Sequence, residues 1–195
     1  MGWSGPYPQL SRKRPTASLV SRKVLVPLLG QILICVLIQL IGFQVVRQQT
    51  WFVPPIVDPE HSQSQNSENT TLFLVSCYQY ILSAIVLSVG KPFRKPMAHN
   101  LPFVVTMVVA LLISSYMLFD PADWLYDLMA LTDMPNGFRG FLLALGIGYV
   151  ACAYTSEQFF FPQLAKWVGE ARKKMFPKSQ KKRKEYKLIM ESMRI

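Results

Sequence analysis

Charge is scarce in this sequence. Charged residues make up 16% of the 195 positions, where a soluble globular domain carries about 25%. The few cysteines and histidines are placed where little chemistry is expected of them. Cys35, Cys77 and Cys152 each fall inside an apolar run, with no neighbour at metal-ligand spacing, and read as small packing residues. His61 and His99 both lie in loops, which argues against a histidine-centred active site. No Walker sequence, Gly-rich phosphate loop or zinc motif occurs. The expectation is a chain with no catalytic, cofactor-binding or metal-ligating residue of its own.

What the sequence does have is apolar length. Hydrophobic residues make up 51% of it, and they are clumped. A membrane helix needs roughly 20 mostly apolar residues to cross the hydrocarbon core. Four windows meet or approach this, at about 24–46, 70–89, 101–119 and 138–161, the last with Arg139 and Glu157 near its two ends. The runs are continuous rather than alternating, which argues against a β-barrel. The first run starts only at Val24 and exceeds the apolar core of a cleavable signal, so it too is read as a span. The expected fold is an all-α membrane protein of four transmembrane helices. The expected division is a segment at 1–23, a transmembrane bundle at 24–161 and a basic tail at 162–195.

Charge distribution sets the expected orientation. The net charge is +10, and 19 of the 21 basic residues fall before the first run, between the second and third, or after the fourth. Only Arg47 and Arg139 lie on the other side, with Asp58, Glu60, Glu68, Asp120, Asp123, Asp127 and Asp133. Basic loops stay cytoplasmic, so both termini are expected there. The stretch ARKKMFPKSQKKRKEYK after the last span is then expected to touch anionic lipid headgroups, each surface charge worth about 1 kcal/mol. A nucleic-acid partner is not expected. Asn69-Thr70-Thr71 is a formal glycosylation sequon, but it stands at the mouth of a span where access is poor.

The spans present polar and small faces to one another. Gln31, Cys35 and Gln39 share one helix face at i, i+4, i+8, as do Ser76, Gln79 and Ser83 at i, i+3, i+7. Gly140, Ala144 and Gly148 form a small-xxx-small stripe. Such faces let helices approach closely and hydrogen-bond within lipid, at about 0.6 kcal/mol per bond. Transporters and proton relays place ionisable residues deep in the membrane, and the middle of every span here is uncharged. Glu157, about a turn from the cytoplasmic end, is the one acid with a possible coupling role. The aspartates at 120, 123, 127 and 133 are a candidate cation-attracting mouth, although a solvated loop explains them as well.

Several stretches together resemble a known family. SENTTLFLVSCYQYI followed by SVGKPFRKP is similar to the eighth span and cytoplasmic turn of type V, subgroup B, P-type ATPases. RPTASLVSRKVLVPLLGQILICVLIQL with QQTWFVP resembles their seventh span and its exit, and NLPFVVTMVVALL their ninth. Their tenth span tends to end with an acid, here Glu157. The resemblance implies the support bundle, spans seven to ten, of an ATP-driven pump for cations, with polyamines as cargo, in late endosomal or lysosomal membranes. Its partners would be the bilayer and the pump's remaining spans and cytoplasmic domains. ATP and Mg2+ belong to the intact family. The family's phosphorylated Asp-Lys-Thr-Gly-Thr and its Thr-Gly-Glu loop do not occur here, so no phosphorylation, nucleotide or transport residue carries over. The expectation is a fragment of a pump. The alternative is a stand-alone four-span protein that binds and regulates a full-length pump.

Overall fold

A computed structural model describes residues 6–9, 20–55, 65–88 and 94–175. Among these it contains helices and connecting turns and no strand, apart from one isolated bridge between Pro6 and Arg94. The helices are α1 (Arg22–Arg47), α2 (Ser67–Val86), α3 (Leu101–Phe119), α4 (Asp123–Met129), α5 (Asn136–Thr155) and α6 (Phe161–Met175). A short 3-10 turn, Met97–His99, precedes α3, and a π-helical turn, Ser156–Phe160, joins α5 to α6. Four helical stretches are long and apolar enough to cross a membrane: α1, α2, α3 and the run from α5 into α6.

Local chemistry fixes where these helices begin and end. α3 coincides with the expected window. α2 starts at Ser67, three residues before the apolar run, because the Asn66 side chain accepts the Asn69 N–H at 2.7 Å and caps it. Asn69 therefore stands in the first turn of the helix. α4 ends on Ala130, a left-handed residue at φ 49°. The fourth run continues well past the expected end at 161. α5 alone has 20 residues, enough for roughly 30 Å of hydrocarbon at 1.5 Å per residue.

The chain divides into two compact units. One comprises residues 1–15 and 31–155; the other comprises 16–30 and 156–195. In the first, α2 is the central helix. Of its apolar window 39% is buried, against 6% for α1 and 17% for α3. Its core joins Val46, Leu74, Val75, Tyr78, Leu118, Met134, Phe138 and Leu142. Trp51, in the exit of α1, packs edge-on against Phe138 with ring centroids 5.2 Å apart. A second cluster holds Val86, Tyr149 and Ala153. Along α1, Leu33, Val36, Leu37 and Leu40 face outward. That exposure costs little in lipid, which is as apolar as leucine. In the second unit, the Phe161 ring sits where a Cβ on Gly30 would be.

Candidate functional site

A polar seam runs between α1 and α2. Gln39 donates from Nε2 to Ser76 Oγ at 3.1 Å and to Gln79 Oε1 at 2.9 Å. Gln79 in turn donates to the Cys35 backbone carbonyl at 3.0 Å. The same face of α1 also reaches α5. Gln31 Nε2 donates to the Ala153 carbonyl at 3.1 Å, and the Cys35 thiol donates to the Tyr149 hydroxyl at 3.4 Å. Tyr78 and Ser115 share a hydroxyl bond at 3.1 Å that ties α2 to α3. In lipid each such bond contributes about 0.6 kcal/mol, and its direction fixes helix register. Ser83 donates to the Tyr80 carbonyl of its own helix, and its side chain also meets the Tyr149 hydroxyl that Cys35 reaches.

The small-residue stripe on α5 does not face this core. Gly140, Ala144 and Gly148 look outward, and a Cβ on either glycine would meet nothing within 4 Å. The buried face of α5 carries Phe138, Leu142, Gly146, Tyr149 and Ala153. Gly146 makes the close approach, since a Cβ there would lie 3.4 Å from Tyr78. Gly42 does the same for α1, with 3.4 Å to Leu145 and Thr71. Two interleaved stripes of the same period run along α5, and its core-facing register belongs to the one containing Gly146.

Arg139 organises the acidic edge. Its guanidinium donates to the Met134 carbonyl at 2.8 Å and the Tyr126 hydroxyl at 3.1 Å. It also donates to the Phe119 carbonyl and pairs with Asp133. The arginine side chain is only 11% exposed. One side chain therefore gathers the end of α3, the short α4 and the start of α5. Further bonds hold this loop to the start of α2. Gln65 donates to the Leu131 carbonyl at 2.7 Å, and Thr70 Oγ accepts the Thr132 N–H at 3.0 Å. Asp120, Asp123, Asp127 and Asp133 all line one open depression of about 530 Å³ beside Arg139. Sequence reading assigned Arg139 no role. An arginine at the head of an apolar run that follows an aspartate-rich loop was the available signal.

Glu157 occupies the π-helical turn and is half-buried. It lines a cleft of the second unit together with residues of α1 and α6. Among the described residues no group of His, Cys, Asp and Glu has the geometry to hold a metal.

No protein-family model matches the chain. Individual proteins do. The vacuolar cation-transporting ATPase YPK9 of Saccharomyces cerevisiae is 37% identical over 192 residues, covering 98% of this chain and 12% of that protein. The polyamine-transporting ATPase 13A3 of Homo sapiens is 27% identical over 180 residues, covering 81% of this chain and 15% of the human protein. The polyamine-transporting ATPase 13A2 of Mus musculus is 40% identical over 110 residues, covering 56% of this chain and 9% of the mouse protein. The chain belongs to the P-type ATPase family of these pumps. It spans 12% of the yeast relative's length, so its kinship is with a membrane part of such pumps. The four membrane-capable helices and the all-α fold agree with that kinship.

Proposed function

We propose that this chain supplies the late-span support bundle, spans seven to ten, of an ATP-driven pump that moves cations, with polyamines as the cargo class. The observation that carries the reading is identity to the yeast cation pump along 98% of this chain within 12% of the pump. In this reading residues 24–161 form the bundle, 1–23 and 162–195 flank it on the cytoplasmic side, and the acidic loop faces the lumen. ATP and Mg2+ act elsewhere in the pump. Coupling requires contacts that differ between two states. A bundle locked by Gln39, Ser76, Gln79 and Gln31 is suited to be the steady wall against which earlier spans move. The outward stripe of Gly140, Ala144 and Gly148 is the face on which a neighbouring span would pack. Glu157 would respond to that movement at the cytoplasmic end. The membrane is assigned to late endosomes or lysosomes by resemblance, and the basic tail to anionic headgroups.

A chimera tests this. Residues 22–175 replace the matching segment of the yeast pump, and ATP hydrolysis and cation-dependent transport are measured in vesicles. The expected result is a chimera that reaches the membrane and retains both. A chimera that inserts normally yet hydrolyses ATP without transport, or does neither, contradicts the reading.

A further inference from the structure

A cleft of about 520 Å³ lies within the second unit, between the first turns of α1 and the first half of α6. Pro27, Phe161, Pro162 and Ala165 give it an apolar lining. Arg22, Lys23 and Lys166 line it too. The Arg22 guanidinium lies against Gly169, in the space a Cβ there would occupy. Glu157 and Glu170 also line the cleft. Even so, Arg22, Lys23 and Lys166 form no ion pair among the described residues. Against Glu157 and Glu170 the three cations leave the lining with an excess of one positive charge, which a bound anion would balance.

The surroundings say what kind of anion. Arg22 and Lys23 stand immediately before the apolar part of the first span, and α6 follows directly on the fourth. Exposed Phe159, Phe160 and Trp167 cluster at the same level of the sequence, the kind of aromatic side chain that settles at the headgroup layer. A soluble phosphate has no use for the apolar lining. A phospholipid uses both parts, with its phosphate on the cations and the start of its acyl chains over Pro27 and Phe161. We propose that this cleft is a binding site for one anionic phospholipid, its phosphate held by Arg22, Lys23 and Lys166. The proposal rests on the reading of α1 and α5 as membrane spans, and it is distinct from diffuse attraction of the basic tail to the membrane surface.

The test uses the full chain in phosphatidylcholine nanodiscs doped with a photoactivatable phosphatidylinositol, with the labelled peptides mapped. Both leaflets are present in a nanodisc, so the outcome does not depend on orientation or on membership of a pump. Labelling is expected in the peptides bearing Pro27 and Phe161 to Lys166. The triple variant Arg22→Gln, Lys23→Gln, Lys166→Gln should lose that labelling by about tenfold or more, three surface charges each contributing on the order of 1 kcal/mol. Ala165→Phe, which fills the cleft and keeps every charge, should abolish it as well, and covers the case in which the triple variant misfolds. Neutralising Lys181, Lys182, Arg183 and Lys184 in the tail should leave it unchanged. Labelling that survives both cleft variants, falls with the tail charges, or is equally strong with a phosphatidylcholine probe overturns the proposal. So does complete competition by glycerol 3-phosphate, which would mark a soluble-phosphate site.

Discussion

Gln39 makes two side-chain bonds across the α1–α2 seam and holds Gln79 in position for its own bond to Cys35. Replacing it with leucine leaves the Gln79 carbonyl oxygen and the Ser76 hydroxyl seeking partners inside lipid. Gln39→Leu should destabilise the bundle by about 1–2 kcal/mol, and Gln39→Leu with Gln79→Leu by less than the sum of the two single changes. Unfolding of the reconstituted chain across a mixed-micelle denaturant series measures both, and strict additivity would show that the bond carries nothing. A second pair of substitutions separates the two stripes on α5. Gly146→Val pushes γ-carbons into Tyr78, already 3.4 Å from a Cβ, and should cost roughly 1–3 kcal/mol. Gly148→Val meets open space and should be nearly neutral in the isolated chain. Inside a full pump the order should change, because Gly148 then faces a neighbouring span. A Gly148→Val pump with normal expression and normal transport would remove the stripe from any docking role.

At the level of elements, the apolar runs were plainly legible, and 101–119 matches α3 residue for residue. The departures have local causes. The start of α2 was set by the Asn66 cap, which lies outside the apolar run. The fourth run passes through a π-helical turn into an amphipathic helix, whose falling apolar content marks the end of a span in the sequence but not the end of the helix. The Gly140–Ala144–Gly148 stripe turns away from this chain's core and Gly146 turns toward it, because the phase of a small-residue pattern is decided by partners distant in sequence. The role of Arg139 was invisible for the same reason, since its acceptors are spread from Phe119 to Met134. Arg139→Gln removes the centre of that network, so amide exchange across α4 should rise by at least about tenfold relative to α3, one lost buried charged hydrogen bond being worth about 1.5–3 kcal/mol. Unchanged exchange would mean that Thr70 and Gln65 hold the loop unaided. Arg139→Lys should restore it only in part, because a lysine cannot reproduce the planar fork. The acidic depression offers a further test. Asp133 already pairs with Arg139, so its own negative field is largely spent. Neutralising Asp120, Asp123 and Asp127 in a full pump should weaken apparent polyamine affinity at low ionic strength by roughly twofold to tenfold, an effect that vanishes at high salt. Asp133→Asn should disturb the loop instead. Equal affinity in all variants would leave the aspartates as a solvated loop.

At the scale of the whole molecule, α2 is the best covered of the membrane-capable helices, and α1 and α3 are sparsely covered. The charge asymmetry predicts that cysteines introduced at Lys182 and at Asp133 will be labelled by an impermeant maleimide from opposite sides of the membrane. Labelling from the same side would contradict the four-span topology. The central claim is that this bundle works as part of a larger ATP-driven pump. It is tested most directly by an immunoblot of native membranes with an antibody against the basic tail, Lys178 to Arg194, checked by loss of signal on gene disruption. A band several times larger than the 22.3 kDa chain is the expected result. A dominant band near 22.3 kDa would contradict it, and would mark a four-span protein that acts on a pump from outside.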